Sequence, residues 1–76
     1  MSDLYGIDMV RVDSSNVESV GFDEAEGNVV VRFLSGAVYI YKGVSQVEFE
    51  GLKNAPSVGS YLHNNFKGVY PYERIA

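Results

Sequence analysis

Short apolar segments separated by polar turns fill much of the first half of the chain, which is the pattern of β-strands. Val17 to Phe22 alternates apolar and polar residues, Asn28 to Phe33 is rich in β-branched residues, and Ala37 to Lys42 is the predicted returning strand after the turn signal Ser35-Gly36. Met9 to Val12 is a short fourth candidate, and turn-forming residues separate the segments. The sequence therefore predicts an antiparallel meander of three to four strands.

After the last of these strands, the apolar residues adopt the spacing of amphipathic helices. Ser45-x-x-Glu48 is a capping box, and it predicts a short helix that ends at about Lys53. Ser57 is the predicted cap of a second short helix with one apolar stripe. Both helices are expected to pack on one face of the sheet, so the predicted fold class is α+β with two layers.

The chain has 76 residues, which is enough for one small domain. Residues 1–8 are predicted to form a flexible N-terminal arm because they are polar and contain Gly6. Residues 9–70 form the predicted domain, and residues 71–76 a C-terminal tail.

The net charge of −4 argues against non-specific binding to DNA, but the charge is distributed unevenly. Residues 1–50 have a balance of −6, whereas residues 51–76 have a balance of +2 from Lys53, Lys67 and Arg74 against Glu73. An anion-binding surface is therefore expected in the second part of the chain. The acidic first part could instead dock on a basic protein.

Composition also limits the chemistry that is expected. There is no cysteine and only one histidine, so no metal site and no cofactor are predicted. No apolar run approaches the roughly 20 residues that span a bilayer, and the N-terminus has no signal-peptide pattern. We therefore expect no membrane association and a cytoplasmic location, in a bacterial cell or a phage-infected host.

The loop between the last two strands decides what Tyr39 and Tyr41 do. If Ser35-Gly36 is a two-residue hairpin loop, Arg32 faces Tyr39 and lies with both tyrosines on an amphipathic sheet face. If the loop has three residues with the glycine in a bulge, the tyrosines move to the face of Phe33. We favour the two-residue loop because it separates apolar from amphipathic residues.

Several short motifs occur in a fixed order along the chain. They are Val12-Asp13-Ser14-Ser15-Asn16-Val17, Val20-Gly21-Phe22-Asp23, Val31-x-Phe33, Gly36, Tyr39-x-Tyr41, and Ala55-x-Ser57-x-Gly59-x-Tyr61 followed by Asn64. Together they resemble the KTSC domain over roughly residues 9–70. This family takes its name from a domain at the C-terminus of some lysyl-tRNA synthetases, and the resemblance implies an α+β fold and suggests RNA binding.

Two groups of residues carry candidate binding chemistry. The rings of Tyr39 and Tyr41, with Arg32 beside them, can stack on nucleobases. The start of the second helix offers backbone N–H groups to a phosphate or carboxylate, with Lys67 or Arg74 assisting. The candidate binding residues are Arg32, Tyr39, Tyr41, Ser57, Gly59, Tyr61, His63, Asn64 and Lys67.

Each group also has a structural interpretation, which we favour from the sequence alone. Cross-strand packing accounts for the tyrosines, and a helix cap accounts for Ser57. Close packing accounts for Gly59, and a solvated helix face accounts for His63 and Asn64.

No acid, base and nucleophile come together in the sequence, so a non-catalytic binding module is expected rather than an enzyme. Three kinds of partner remain open. The first is single-stranded RNA or a nucleotide, held at the Tyr-x-Tyr sheet surface. The second is a protein that binds the acidic part, as with a small phage-encoded inhibitor of a host factor. The third is a second copy of the chain, in a structural homo-oligomer that pairs through the tyrosine face or an exposed strand edge.

Overall fold

Strands and helices follow one another in the predicted order, with further strands at both ends of the chain. The computed structural model describes the backbone of residues 2–4 and all of residues 7–76. The strands in this part of the chain are β1 (Ser2–Leu4), β2 (Ile7–Arg11), β3 (Val17–Asp23), β4 (Asn28–Phe33), β5 (Val38–Lys42) and β6 (Tyr72–Arg74). The helices are α1 (Gln46–Lys53) and α2 (Val58–Asn65), which lie between β5 and β6.

All of these strands form one antiparallel sheet in chain order, β1-β2-β3-β4-β5-β6. The α+β class is therefore confirmed, although the predicted three to four strands are too few. Residues 2–4 and 7–8 of the predicted arm belong to β1 and β2, while residues 1, 5 and 6 lie outside the described residues. Residues 72–74 of the predicted tail form β6. The domain boundaries stay a prediction.

The loop between β4 and β5 overturns the favoured register. Gly36 has a φ of 99°, in the left-handed region that favours glycine. Tyr39 pairs with Val31, and Tyr41 pairs with Val29. The two-residue loop is therefore wrong, and the three-residue alternative is the one observed. Because the register shifts by one residue, both tyrosines change faces and point towards the helices.

The two helices pack on this face of the sheet, as predicted. Helices of this length are marginal in water on their own, so packing must hold them. Each large apolar side chain that becomes buried contributes about 1.5–3 kcal/mol. The buried residues of this core are Val17, Val20, Val29, Val31, Tyr41, Val44, Phe49, Leu52, Val58, Leu62 and Phe66.

The opposite face of the sheet has a smaller apolar core. Its buried members are Ile7, Met9, Val30 and Val38. Met9 of β2 pairs with Gly21 of β3, where an added Cβ would lie 2.7 Å from Met9 Sδ and 2.8 Å from the Asp8 carbonyl oxygen. Glycine at this position therefore makes room for the close approach of β2 to β3.

Both helices begin at the serines that the sequence predicts. Ser45 Oγ accepts a hydrogen bond from the Glu48 N–H at 3.2 Å, and Ser57 Oγ accepts one from the Ser60 N–H at 3.3 Å. The carboxylate of Glu48 accepts a 2.6 Å hydrogen bond from the Tyr61 hydroxyl. The acidic residue of the predicted capping box therefore links α1 to α2.

Candidate functional site

Aromatic rings gather where β5 meets β6, close to the end of α2. Tyr39 packs edge-on against Phe33 and also contacts Tyr72, with ring centroids 5.6 Å apart in both pairs. Tyr41 lies 5.7 Å from Tyr72 and 5.5 Å from Phe66. Because Tyr72 pairs with Tyr41 across the two strands, β6 adds a ring that the Tyr39-x-Tyr41 motif does not contain.

These rings line an open groove of about 430 Å³, which we call the aromatic groove. A volume of this size falls within the roughly 300–1,000 Å³ that small-molecule sites occupy. The lining residues are Phe33, Ser35, Ala37, Tyr39, Tyr41, Lys67, Gly68 and Tyr72.

The tyrosines of the groove differ sharply in exposure. Tyr41 is only 2% exposed, whereas Tyr72 is 59% exposed. Burial raises the pKa of the Tyr41 hydroxyl above its ordinary value, and the neighbouring Tyr39 and Tyr72 add to the rise. Tyr41 therefore forms the floor of the groove, and the surface for stacking belongs to Tyr72 and the half-buried Tyr39.

Positive charge at the groove comes from the C-terminal part of the chain, as the charge distribution predicts. Lys67 lines the groove. Arg74 pairs with Tyr39 and so lies on the same face of the sheet, with its Nε donating to the Ala76 carbonyl oxygen at 2.9 Å. None of the described residues that line the groove is acidic. Aromatic ring faces and an ammonium group are thus presented together.

Arg32 does not belong to this site. It pairs with Val38 and lies on the face opposite to Tyr39. The prediction that Arg32 faces Tyr39 and shares a sheet face with both tyrosines is therefore wrong. Arg32 Nε instead makes a 3.2 Å ion pair with Glu18 Oε1. Two further cations are paired in the same way, Lys42 with a carboxylate of β6 and Lys53 with one of α1.

The predicted residues of the second helix lie at a different place, which we call the polar pocket. It has a volume of about 370 Å³, and the loop of residues 13–16 forms one wall. The opposite wall is α2 with its cap, and it includes Ser57, Gly59, His63 and Asn64. Two of the motifs that carry the family resemblance therefore meet here in space.

Two side chains of the polar pocket, those of Ser14 and Asn16, bond to each other. Ser14 Oγ donates to Asn16 Oδ1 at 3.1 Å and accepts from the Val17 N–H at 3.2 Å. An added Cβ on Gly59 would lie 2.8 Å from Asn16 Oδ1, so the glycine lets α2 approach the loop. Ser57 caps the helix, and this geometry agrees with the structural interpretation of both residues.

Tyr61 lies at neither site. Its hydroxyl donates to Glu48, and this hydrogen bond raises the pKa of Tyr61 above its ordinary value. A Cβ on Gly51 would lie 2.5 Å from the Tyr61 hydroxyl oxygen, so the glycine makes room for the contact between the helices. The nine predicted residues therefore divide among four places, and a ligand-binding role for each stays a prediction.

Phe33 and Tyr72 line the groove but are not among the nine candidate residues that the sequence indicates. The favoured two-residue loop puts Phe33 on the apolar face, away from the tyrosines, and Tyr72 falls in the predicted tail. The local signal for β6 is weak. Pro71 before an aromatic residue is compatible with an edge strand but does not require one. A three-residue strand is too short to show a periodicity, so only its pairing with β5 identifies it.

The described residues contain no group of three or more His, Asp or Glu side chains that could hold a metal ion. Neither α1 nor α2 has the length and apolar character of a helix that crosses a membrane. Nothing in the arrangement of the described side chains shows catalysis.

Comparison with known proteins identifies the family. The model of the KTSC domain matches residues 13–70. The chain belongs to the KTSC domain family. The resemblance that the motifs indicate is thereby confirmed.

Some relatives of this KTSC domain are much longer proteins. A lysine–tRNA ligase of Trichormus variabilis is 30% identical over 74 residues, which cover 97% of this chain and 13% of the ligase. The chain thus spans only a small part of the length of the ligases that it matches. A protein of Tsukamurella paurometabola is 37% identical over 59 residues, which cover 78% of this chain and 88% of that protein.

The fold is also that of a solved family member. The crystal structure of a KTSC domain protein from Yersinia pestis matches with a TM-score of 0.85 and 25% sequence identity. The match covers 92% of this chain and 99% of that one. The sheet and the two helices are therefore the family's fold.

Proposed function

We propose that this KTSC domain protein is a small binding module that takes single-stranded RNA or a nucleotide at the aromatic groove. The observation that carries the proposal is the exposed ring of Tyr72, which lies next to Tyr39 and shares the groove with Lys67. Proteins that bind single strands combine aromatic platforms with positive charge in this way. The surface differs from the one expected from sequence, because Tyr72 and Lys67 take the place of Arg32 and Tyr41.

The net negative charge of the chain does not oppose an anion at the groove, because the acidic groups lie elsewhere. None of the described residues that line the groove is acidic. Glu73 is the chain neighbour of Tyr72, but it pairs with Ile40 and so lies on the opposite face of the sheet from Tyr41 and Tyr72. There its carboxylate forms a 3.4 Å ion pair with Lys42 Nζ.

The relatives support the same class of ligand. A lysine–tRNA ligase acts on an RNA, and a segment similar to this chain makes up a small part of it. A binding module for RNA attached to such an enzyme would help to hold the enzyme's substrate. We extend this role to the present chain as part of the proposal.

The direct test is binding of a fluorescent single-stranded RNA, followed by anisotropy at several salt concentrations. Tyr72→Ala is expected to weaken binding about 5- to 150-fold, since a stacked base contributes about 1–3 kcal/mol. Lys67→Gln is expected to weaken binding and to make it less dependent on salt, because each phosphate contact contributes about 0.7 to the slope for single strands.

Two matched variants control this experiment. Lys53→Gln removes the same charge from a lysine that is paired with Glu50 away from the groove, so it should leave binding unchanged. Val47→Ala removes an apolar side chain that is 83% exposed on α1, and it should also have no effect. If Lys53→Gln weakens binding as much as Lys67→Gln does, only net charge matters and the proposed site is wrong.

A second candidate function is self-association through the same surface. Leu34 and Val69 are exposed, and both are direct chain neighbours of residues that line the groove. Exposed apolar side chains that cluster with aromatic ones are typical of contact surfaces between proteins. Sedimentation equilibrium over a range of concentrations should then give a mass above 8.4 kDa that returns to the monomer value in Tyr72→Ala. A concentration-independent monomer excludes this candidate.

A further inference from the structure

We infer that the aromatic groove holds one or two unpaired nucleotides, as in a free dinucleotide or the unpaired end of an RNA, and that it does not track a long strand. This inference rests on the proposed function and adds the size and form of the ligand. It follows from how many rings, how many cations and what flanking surface the groove offers.

Only a small part of the aromatic surface is open for stacking. Tyr41 is buried, and Phe33 is half-buried with its ring edge-to-face against Tyr39. The centroids of Tyr39 and Tyr72 are 5.6 Å apart, which is direct contact for aromatic rings, so no base can enter between them. A base must therefore stack on the outer face of Tyr72 or over the exposed part of Tyr39, which gives room for one or two.

The available positive charge sets a similar limit. Of the six basic residues, Arg32, Lys42 and Lys53 form ion pairs with carboxylates. Arg11 pairs with Ser19, which pairs with Arg32, so Arg11 lies on the face away from the groove. Lys67 and Arg74 are the basic residues that remain on the groove side, and they match at most two phosphates.

Apolar side chains flank the groove along the chain. Leu34 lies between two lining residues, Val69 follows the lining residue Gly68, and both are exposed. A longer strand that leaves the groove past these residues would place its charged phosphates against apolar surface without a counterion. Extra nucleotides therefore bring no further favourable contacts.

Paired bases do not fit this arrangement. In an A-form duplex the bases are stacked on their neighbours, and recognition proceeds through the minor groove and the backbone. The aromatic groove offers ring faces and few cations, which suits a base that is already unstacked. An unpaired end satisfies this condition at little cost.

The experiment is isothermal titration calorimetry of the intact chain with an adenylate series: a mononucleotide, a dinucleotide, a tetranucleotide and an octanucleotide. Affinity should rise from the mononucleotide to the dinucleotide. For the tetranucleotide and the octanucleotide, the association constant divided by the number of dinucleotide windows in the oligomer should equal that of the dinucleotide within about twofold. The slope of log affinity against log salt for the dinucleotide should be about −1.4 or shallower, since two phosphates contribute about 0.7 each.

A second arm separates a free nucleotide from an RNA end. A two-stranded RNA duplex with a two-nucleotide 3′ overhang should bind as tightly as the dinucleotide or more tightly, whereas the same duplex with blunt ends should bind at least about tenfold more weakly. Tyr72→Ala should abolish the difference between the two duplexes. Preference for the dinucleotide over the overhang would assign the groove to free nucleotides.

Each result has a clear consequence. A per-window affinity that keeps rising to the octanucleotide, as in grooves that hold about 4–16 nucleotides, would overturn this inference and leave the proposed function intact. Equal binding of the blunt duplex would also overturn it. Absence of binding to every member of the series and to longer single strands would instead overturn the proposed function itself.

Discussion

The aromatic groove and the polar pocket lie at different places on the same small fold, and they use their side chains in opposite ways. In the polar pocket, the side chains of Ser14, Asn16 and Ser57 form hydrogen bonds with each other or with nearby backbone N–H groups. In the aromatic groove, Tyr72 turns most of its ring outwards, and Lys67 lies beside it. The comparison teaches that a concentration of polar motif residues can serve the fold, while the chemistry available to a ligand lies elsewhere.

The largest expected effect separates the floor of the groove from its rim. Tyr41→Ala should lower the free energy of unfolding by about 3–5 kcal/mol, because a buried aromatic side chain is removed from the core. Since a small domain has a total stability of about 5–15 kcal/mol, this variant is close to unfolding. Urea denaturation followed by circular dichroism measures the change.

Tyr72→Ala is the matched control for that variant, since it removes the same side chain from an exposed position of the same groove. Its stability should change by less than about 1 kcal/mol. A loss of stability as large as that of Tyr41→Ala would show that the rim is part of the core, and the distinction between floor and rim would fail.

The next effect tests whether the polar pocket serves the fold. Ser57→Ala should lower stability by about 1 kcal/mol through loss of the helix cap, and it should leave RNA affinity unchanged. Ser45→Ala removes the corresponding cap of α1 and should behave alike in both measurements. Weaker RNA binding in Ser57→Ala, with Ser45→Ala normal, would show that the start of α2 contacts the ligand.

A smaller effect concerns the contact between α2 and the loop of residues 13–16. Gly59→Ala places a Cβ against Asn16 Oδ1, which offsets the gain of up to about 1 kcal/mol expected for alanine in a helix. In the Asn16→Ala background the clash is removed, so Gly59→Ala should become stabilising. A double-mutant cycle in urea measures this coupling, and strictly additive effects would show that the two residues do not press on each other.

The smallest expected effect is a pH dependence that arises in the floor of the groove. The pKa of Tyr41 is raised in the folded protein, so the folded state holds this proton more tightly than the unfolded state does. The resulting stability is fully present below the ordinary pKa of 10.0 and is lost as the pH rises through the folded value. The free energy of unfolding, measured by urea denaturation at several pH values between about 8 and 11, should therefore fall less steeply with rising pH for Tyr41→Phe than for the wild type. If the free energy of unfolding falls equally with pH in the wild type and in Tyr41→Phe, the pH dependence does not arise from Tyr41.

Much of the fold follows from local pattern, and the reasons are physical. The strands β3, β4 and β5 show an alternating or β-branched pattern, and both helices have serine caps whose hydrogen bonds form as expected. These signals act over a few residues, so they are readable without knowledge of the rest of the chain. The edge strands β1 and β6 have three residues each, and their existence depends on a partner strand.

The candidate site was predictable only in part, because it depends on register. A one-residue difference in the loop at Gly36 moves Tyr39 and Tyr41 from one face of the sheet to the other. The sequence indicates both loops, and the choice is made by how the whole face packs. Once Tyr41 lies under the helices and β6 is added, the exposed ring is Tyr72 and the adjacent cation is Lys67.

The sequence by itself determined the α+β class, the order of the main strands and helices, the helix caps, the family and the uneven distribution of charge. Each of these follows from local spacing, residue type or motif order. The tertiary structure alone decided the hairpin register, the pairing of β6 with β5, and the separation of Arg32 from the tyrosines. These features depend on contacts between residues distant in the chain, where burial of a whole sheet face outweighs any local preference.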